Sequence, residues 1–295
     1  MSIIDTETME KIADVEYPSE GIFLATAHSL AITPDGQSVY VNMLIADDSV
    51  YFSQRIVVVE ISTKSNQIVD KIEVSKHAAD LQTGDIIITP DNLAYVAYKN
   101  KNSTTKKTEG RISVINTLDN KIVHQDTPIV IGDFIYRLCA CETTEGEKIF
   151  IGSYDYRTSN LTIIKTADIF NKETYIKKTV GFAEPFFVAN PKQETHPRIY
   201  VCDNRFHFIK TVSNEVVGMP NIEPKAHHRN IAVSHDGKKL YVTNHHDINI
   251  STGKTVSVFD VSNKNDIIFI ESFQVGDLPF GIAIGPQAKV LKRKR

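Results

Sequence analysis

The sequence contains no tryptophan, only three cysteines and no long apolar run. Without tryptophan, no repeat built on a Trp-Asp dipeptide can be present. An odd and low cysteine count excludes a framework of paired disulfides and fits a reducing compartment. Cys139 and Cys141 stand two apart in an apolar run, so we expect them to be buried thiols. No stretch approaches the roughly 20 apolar residues that a membrane-spanning helix needs.

The charge of the chain is nearly balanced, with 33 basic and 36 acidic residues and a formal net charge of −3. This balance gives no overall attraction to nucleic acid or to an anionic membrane, so neither is expected as a partner. Residues 1–13 lack a basic segment followed by an apolar one, so we expect no signal peptide and a cytoplasmic location. A processed secreted form would, however, show the same sequence.

An internal repeat is the most informative feature of the sequence. Residues 29–42, 85–97 and 230–243 each read as an apolar strand, a tight turn and a second apolar strand. The turns contain Pro-Asp-Gly or related residues, whose side chains bond nearby backbone or tolerate positive φ. A second pair of strands follows, as in residues 56–61 and 68–74. Four antiparallel strands recurring about every 45 to 55 residues are typical of β-propeller blades.

The two ends of the chain supply complementary halves of a repeat. Residues 2–15 match the second half, whereas residues 281–292 match the first half. Because an exposed strand edge is a liability, we expect the two halves to join into one composite blade. We therefore predict an all-β chain, residues 1–295, forming a single β-propeller of about six four-stranded blades. Seven blades are possible if a degenerate blade lies within residues 179–226, and helices should be scarce.

Two segments resemble the YVTN-repeat family of β-propellers. They read ITPDGQSVYV from residue 32 and VSHDGKKLYVTN from residue 233, and the tetrapeptide itself stands at residues 241–244. The resemblance covers nearly the whole chain and implies the propeller fold. A WD40-like propeller is less expected, because the chain contains no tryptophan. It implies no single function, because YVTN-type propellers include binding proteins, surface-layer modules and enzyme subunits, and related propellers include lactonases and lyases.

One end of the predicted blades collects polar and aromatic residues. Residues before each first strand and after each second strand share this end, because two antiparallel strands joined by a short turn return to their starting edge. Asp85 and Asn42 belong to this group. Three histidines are the candidate catalytic residues, namely His28, His228 and His246. The candidate substrate-binding residues are Tyr136, Arg137, Tyr154, Glu184, Asn204, Arg229, Asn244, His245 and Phe280.

These residue types indicate acid–base chemistry on a small polar molecule. Imidazole transfers protons near neutral pH, and a guanidinium group can hold an anion. We therefore expect a small-molecule enzyme of the hydrolase, lyase or cyclase type, with a His-rich site at the mouth of the propeller channel. A non-catalytic propeller that binds a ligand or a partner protein is the alternative, because no known catalytic motif is present. No cofactor is expected, although the histidines leave a bound transition metal open.

Overall fold

A computed structural model of the chain describes residues 2–4, 11–17, 22, 24–47, 54–78, 81–102, 104–124, 128–155, 158–180, 186–190, 197–202, 206–218, 226–234, 236–247, 255–263 and 267–275. These residues form 23 β-strands and two short 3-10 helices, Thr166–Asp168 and Lys172–Thr174. Within the same ranges there is no α-helix, and no helix is long and apolar enough to cross a membrane. The expectation of an all-β chain with few helices is confirmed.

The strands of the first half of the chain form one small sheet and three larger ones. The small sheet pairs β1 (Ser2–Ile4) with β2 (Lys11–Asp14). Sheet 1 contains β3 (Leu24–Ile32), β4 (Ser38–Ala46), β5 (Gln54–Ser62) and β6 (Gln67–Ala78). Sheet 2 contains β7 (Gln82–Ile88), β8 (Leu93–Lys101), β9 (Thr108–Asn116) and β10 (Lys121–Val123), with β11 (Ile129–Val130) also pairing with β9. Sheet 3 contains β12 (Phe134–Thr143), β13 (Gly146–Asp155), β14 (Thr158–Lys165) and β15 (Ile176–Val180).

The second half of the chain forms two further four-stranded sheets. Sheet 4 contains β16 (Phe186–Asn190), β17 (Arg198–Cys202), β18 (Phe206–Lys210) and β19 (Glu215–Gly218). Sheet 5 contains β20 (Ala226–Val233), β21 (Lys239–Asp247), β22 (Thr255–Asp260) and β23 (Ile268–Gln274). In every sheet the strands lie in chain order, so the first strand forms one edge and the fourth forms the other.

The described residues form a β-propeller arrangement of five blades, so the class of fold is as predicted while the number of blades differs from the predicted six or seven. The sixth blade was expected from joining the two ends of the chain. In the described part of the chain, residues 2–14 form only the β1–β2 pair, and residues 281–292 lie outside it. The seventh was expected within residues 179–226, where the described strands make up sheet 4 and the start of sheet 5.

Three of the hairpin turns are built from the same hydrogen bonds. In the first, the Thr33 hydroxyl donates to the Asp35 carboxylate at 2.7 Å, the Gly36 N–H donates to the Thr33 carbonyl at 2.8 Å, and Gly36 has a φ of 73°. Only glycine and a few polar residues adopt positive φ at low cost. The corresponding residues are Thr89, Asp91 and Asn92 in sheet 2, and Ser234, Asp236 and Gly237 in sheet 5.

The core consists of apolar side chains between neighbouring sheets. The chain divides into two compact units, residues 1–140 with 148–181 and residues 141–147 with 182–295. In the first unit, sheets 1 and 2 bury Tyr40, Val58, Ile72, Ile86, Ala94, Val96 and Ile115, and sheets 2 and 3 bury a second cluster around Ile112, Ile135 and Ile151. In the second unit, sheets 4 and 5 bury Tyr200, Phe208, Ile231, Leu240, Val242, Phe259 and Val261. Cys139 and Cys141 are buried thiols, as expected.

Candidate functional site

The first strands of three sheets contain a β-bulge at the same position of the repeat. A tyrosine of the second strand fixes the common register: Tyr40, Tyr95 and Tyr241 lie opposite Ala31, Ile87 and Ala232. Counted from these tyrosines, the extra residue is His28 in β3 and Arg229 in β20, whereas in β7 both Gly84 and Asp85 lie opposite Ala97. Bulges redirect side chains and are common beside active sites.

Asp85 connects the bulge of sheet 2 to the first strand of sheet 3. Its Oδ1 accepts a hydrogen bond from Arg137 Nη1 at 2.9 Å, and its Oδ2 accepts one from the Leu138 N–H at 3.2 Å. The Asp85 and Arg137 side chains are 17% and 19% exposed, so both charges are largely shielded from water. A charge-assisted bond in such surroundings is stronger than one at the surface.

Ser29 occupies the repeat position of Asp85 and makes the corresponding contact one sheet earlier. Its hydroxyl accepts a hydrogen bond from the Ile86 N–H at 3.3 Å, which joins β3 to β7. Asn42 adds a second connection, because its Nδ2 donates to the Gly84 carbonyl at 3.0 Å and to the Ala97 carbonyl at 3.3 Å. Side chains of sheet 1 therefore form hydrogen bonds with backbone groups at the bulge of sheet 2.

Gly84 has no room for a side chain. A Cβ at this position would lie 2.8 Å from the Ile135 carbonyl oxygen and 2.9 Å from the Ala97 Cβ. The peptide of Gly84 is therefore confined between β8 of its own sheet and β12 of sheet 3. A glycine inside a strand marks such close backbone approach.

The His28 imidazole lies among these groups. Burial by surrounding protein atoms lowers the pKa of His28 from 6.5, and the nearby guanidinium of Arg137 lowers it further. The Asp85 carboxylate and a hydrogen bond to the Gly84 backbone act in the opposite direction and only partly offset this. Although protein atoms surround its ring, His28 keeps an exposed surface. The imidazole is therefore neutral at pH 7 and can accept a proton from a molecule that reaches it.

The second group of predicted histidines lies in sheet 5. The pairing of β20 with β21 sets His227 opposite His246 and His228 opposite Asn244. Asn244 is buried, and its Nδ2 donates to Thr255 Oγ1 and Ser257 Oγ, both at 2.8 Å. The side chains of four predicted site residues in these strands, His228, Arg229, His245 and His246, lie outside the described part of the structure.

The remaining predicted residues are less informative. Tyr154 is half-buried near the end of β13, and the side chain of Tyr136 in β12 is not described. Glu184, Asn204 and Phe280 lie outside the described residues. No group of three or more histidine, cysteine, aspartate or glutamate side chains suited to a metal ion occurs among the side chains that are described.

A cavity of about 430 Å³ lies against sheet 1 but does not include His28. Its lining is mostly aliphatic, with Val15, Ala25, Val41 and Met43, and also includes Glu16 and Tyr17. The predicted site residues His28 and Arg137 therefore lie outside this cavity.

Comparisons with known proteins support the fold. No protein-family model matches the sequence, and no curated protein matches it. The crystal structure of a functionally unknown protein from Desulfotomaculum acetoxidans resembles this chain with a TM-score of 0.57 and 18% identity. The likeness covers 93% of this chain and 76% of that one. At this identity the likeness shows the fold alone.

Sequence reasoning placed His28, Asp85 and Arg137 at one end of the blades but missed the roles of Ser29, Asn42 and Gly84. A signal for Gly84 was present, since a glycine directly before an apolar strand indicates a bulge or a close backbone approach. Ser29 and Asn42 carry no such signal, because their partners belong to a different sheet more than 40 positions away in the chain, at 57 and 42 residues respectively.

Proposed function

We propose that the chain is a YVTN-type propeller enzyme that acts on a small polar molecule by acid–base chemistry, of the hydrolase, lyase or cyclase type. His28 is the proton-transferring residue of this proposal. The ligand is a small molecule, and the mechanism requires no cofactor. His228 and His246 stay predicted members of the catalytic set, because their side chains are not described.

The observation that carries the proposal is an exposed imidazole with a lowered pKa beside the Asp85–Arg137 ion pair, at the bulged strands of neighbouring sheets. A general base works best when its pKa lies near the working pH, because much of it is then unprotonated while it still binds a proton well. The unlike charges of Arg137 and Asp85 polarise the same region.

His28 would take a proton from water or from a substrate hydroxyl as the new bond forms. It would return the proton to the leaving oxygen as the old bond breaks. For a lactone, attack by the activated water opens the ring and the proton ends on the released alcohol. For a hydroxy acid, the same exchange in reverse closes the ring, so one imidazole serves both directions.

The test is a panel of small lactones and hydroxy acids incubated with the protein and followed by proton NMR. This measurement separates ring opening, ring closure and elimination by the signals of their different products. We expect turnover by the wild type, and a loss of about 100-fold or more in kcat/KM for His28→Asn, as for other general bases.

His124→Asn is the matched control. His124 is exposed, lies just after β10 and has a φ of 53°, a conformation that asparagine also adopts readily. Its ring contacts Phe170, with 4.2 Å between ring centroids. We expect this variant to keep wild-type turnover. Equal kcat/KM values for wild type and His28→Asn would overturn the assignment of His28.

A non-catalytic binding propeller is the second candidate. It is favoured by the contacts of Asp85, whose two carboxylate oxygens both accept hydrogen bonds from sheet 3 and so connect two blades. In that case no member of the panel would be turned over, whereas binding of a ligand would still shift the NMR signals of the His28 ring. Binding without turnover would replace the enzyme proposal with this one.

A further inference from the structure

The outer edge of sheet 5 is exposed along its whole length. β23 is the fourth strand of this sheet, and among the described strands it pairs only with β22. All seven of its residues are exposed to solvent, and four of them are large and apolar, namely Ile268, Phe269, Ile270 and Phe273. An edge strand of this kind offers a row of outward-facing N–H and C=O groups to another strand.

The fourth strands of the other sheets carry features that discourage such pairing. β10 and β19 contain only three and four residues. The longer strands β6 and β15 carry charged side chains, including Asp70, Lys71, Glu73, Lys177 and Lys178. Short length and charge, lysine above all, keep edge strands from pairing with another chain. In β23 the one charged residue is Glu271, so its edge lacks this protection.

One face of β23 is set by its pairing with β22. Phe269 lies opposite Phe259, and their rings are in contact, with 5.6 Å between the centroids. Phe259 belongs to the core between sheets 4 and 5, so Phe269 lies on the face toward sheet 4. Ser272 lies opposite Ser257, two residues before Phe259 on β22, and therefore shares this face.

A bulge reverses the alternation of faces in the middle of β23. Ile268 and Phe273 lie opposite residues that alternate with Phe259 on β22, so both belong to the face away from sheet 4. Ile270 is the extra residue, because Phe269 and Glu271 pair with consecutive residues of β22. A regular strand laid along this edge would therefore match the faces on one side of Ile270 and not on the other.

A second copy of β23 has the matching irregularity. In an antiparallel pair with a two-fold axis between Ile270 and Glu271, Ile268 lies opposite Phe273 of the second copy, and Phe269 lies opposite Ser272. In each pair both residues belong to the same face, because the two bulges meet at the axis. Contacts between aromatic and β-branched side chains stabilise such cross-strand pairs. The interface is also closed, since a two-fold axis uses the same surface on both copies.

We propose that the outer edge of sheet 5 is a self-association surface, at which two copies of the chain pair through β23 about this two-fold axis. The proposal is independent of the proposed function, because it uses no residue of the candidate site. One pair of seven-residue strands buries less than the roughly 1,600 Å² of a standard interface, so we expect a dimer that dissociates on dilution.

The test is sedimentation velocity of the full chain between about 5 μM and about 500 μM, compared for wild type, Phe273→Lys and Ile270→Lys. The two substituted side chains are 46% and 45% exposed, so the folded monomer should tolerate both changes equally. Phe273→Lys places a lysine against Ile268 of the second copy at two symmetric points, and we expect the dissociation constant to rise by about tenfold or more. Ile270→Lys places a lysine beside Glu271 of the second copy, and we expect the dimer to persist.

Val69→Lys is the matched control for the added charge. Val69 lies on β6, the outer strand of sheet 1, and is 55% exposed. We expect this variant to dimerise as the wild type does, because its lysine stands on a different edge.

Three results would overturn the proposal. The first is a wild type that stays monomeric up to the highest concentration, which would leave the edge to a different partner strand. The second is a folded Phe273→Lys protein that dimerises as the wild type does, and Ile268→Lys serves the same comparison if Phe273→Lys does not fold. The third is equal dissociation of Phe273→Lys and Ile270→Lys, which would rule out the axis between Ile270 and Glu271. None of these results depends on turnover, so they leave the proposed function of His28 untouched.

Discussion

The two ends of the first hairpin in each sheet differ in what the repeat preserves. At the turn end, sheets 1, 2 and 5 use the same hydroxyl-to-carboxylate bond and the same residue with positive φ. At the bulge end, the backbone irregularity recurs, but its residues change from His28 to Gly84 with Asp85 and to Arg229. The turn end thus preserves the contacts that form the hairpin, whereas the bulge end keeps the backbone irregularity and varies the chemistry of its side chains.

The largest effect should come from filling the bulge of sheet 2. Gly84→Ala places a Cβ against the Ile135 carbonyl oxygen and the Ala97 Cβ, neither of which can move without shifting a strand. Overpacking of this kind costs about 1–3 kcal/mol of unfolding free energy, and we expect a value near the upper end. Urea denaturation of wild type and variant measures the difference.

Gly36→Ala is the corresponding change at the turn end. No atom lies within 4 Å of a Cβ there, so only the φ of 73° opposes the substitution. We expect a loss of about 1 kcal/mol, since alanine is disfavoured at positive φ. A Gly36→Ala protein that is less stable than Gly84→Ala would contradict the close backbone approach at the bulge.

The sequence predicted the turn end better than the bulge end. Thr33, Asp35 and Gly36 interact within a few residues, so the repeat alone indicated their hairpin. The bulge at His28 depends on the register between two strands, which composition does not reveal. The burial of Asn42 depends on carbonyls of another sheet. The number of blades differs from the prediction because the predicted sixth blade joins the two ends of the chain, and residues 281–292 lie outside the described residues.

The next prediction distinguishes the opposite influences of Arg137 and Asp85 on the pKa of His28. Arg137→Gln removes a cation that lowers the pKa of His28, so this pKa should rise, whereas Asp85→Asn should lower it. Each variant also leaves a largely buried partner with a weaker hydrogen bond, which costs about 1–3 kcal/mol. NMR titration of the His28 ring measures the pKa shifts, and shifts in the same direction for both variants would contradict the described arrangement.

The lowered pKa of His28 also makes stability depend on pH. Its pKa lies below the unfolded value of 6.5, so the unfolded chain takes up the proton first as the pH falls. The free energy of unfolding therefore decreases as the pH drops through about 6.5 and levels off below the folded pKa. Arg137→Gln should narrow the pH range over which the free energy of unfolding changes, because it raises the pKa of His28 in the folded protein.

The smallest effect belongs to the turn end, at Asp35 and Asp236. The Gln37 N–H and then the Thr33 hydroxyl lower the pKa of Asp35, and the Ser234 hydroxyl and then the Lys238 N–H lower that of Asp236. Both carboxylates therefore stabilise the fold above the unfolded pKa of 3.8, and this contribution is lost as the pH falls through their folded pKa values. Both carboxylates are fully exposed, so we expect only a small effect. In the double variant Asp35→Asn, Asp236→Asn, the free energy of unfolding should fall slightly less steeply as the pH drops, and this decrease at low pH is the acid limb of stability. Urea midpoints measured between about pH 5 and pH 2 test this. An acid limb of wild-type steepness in the double variant would mean that these carboxylates do not hold the turns together.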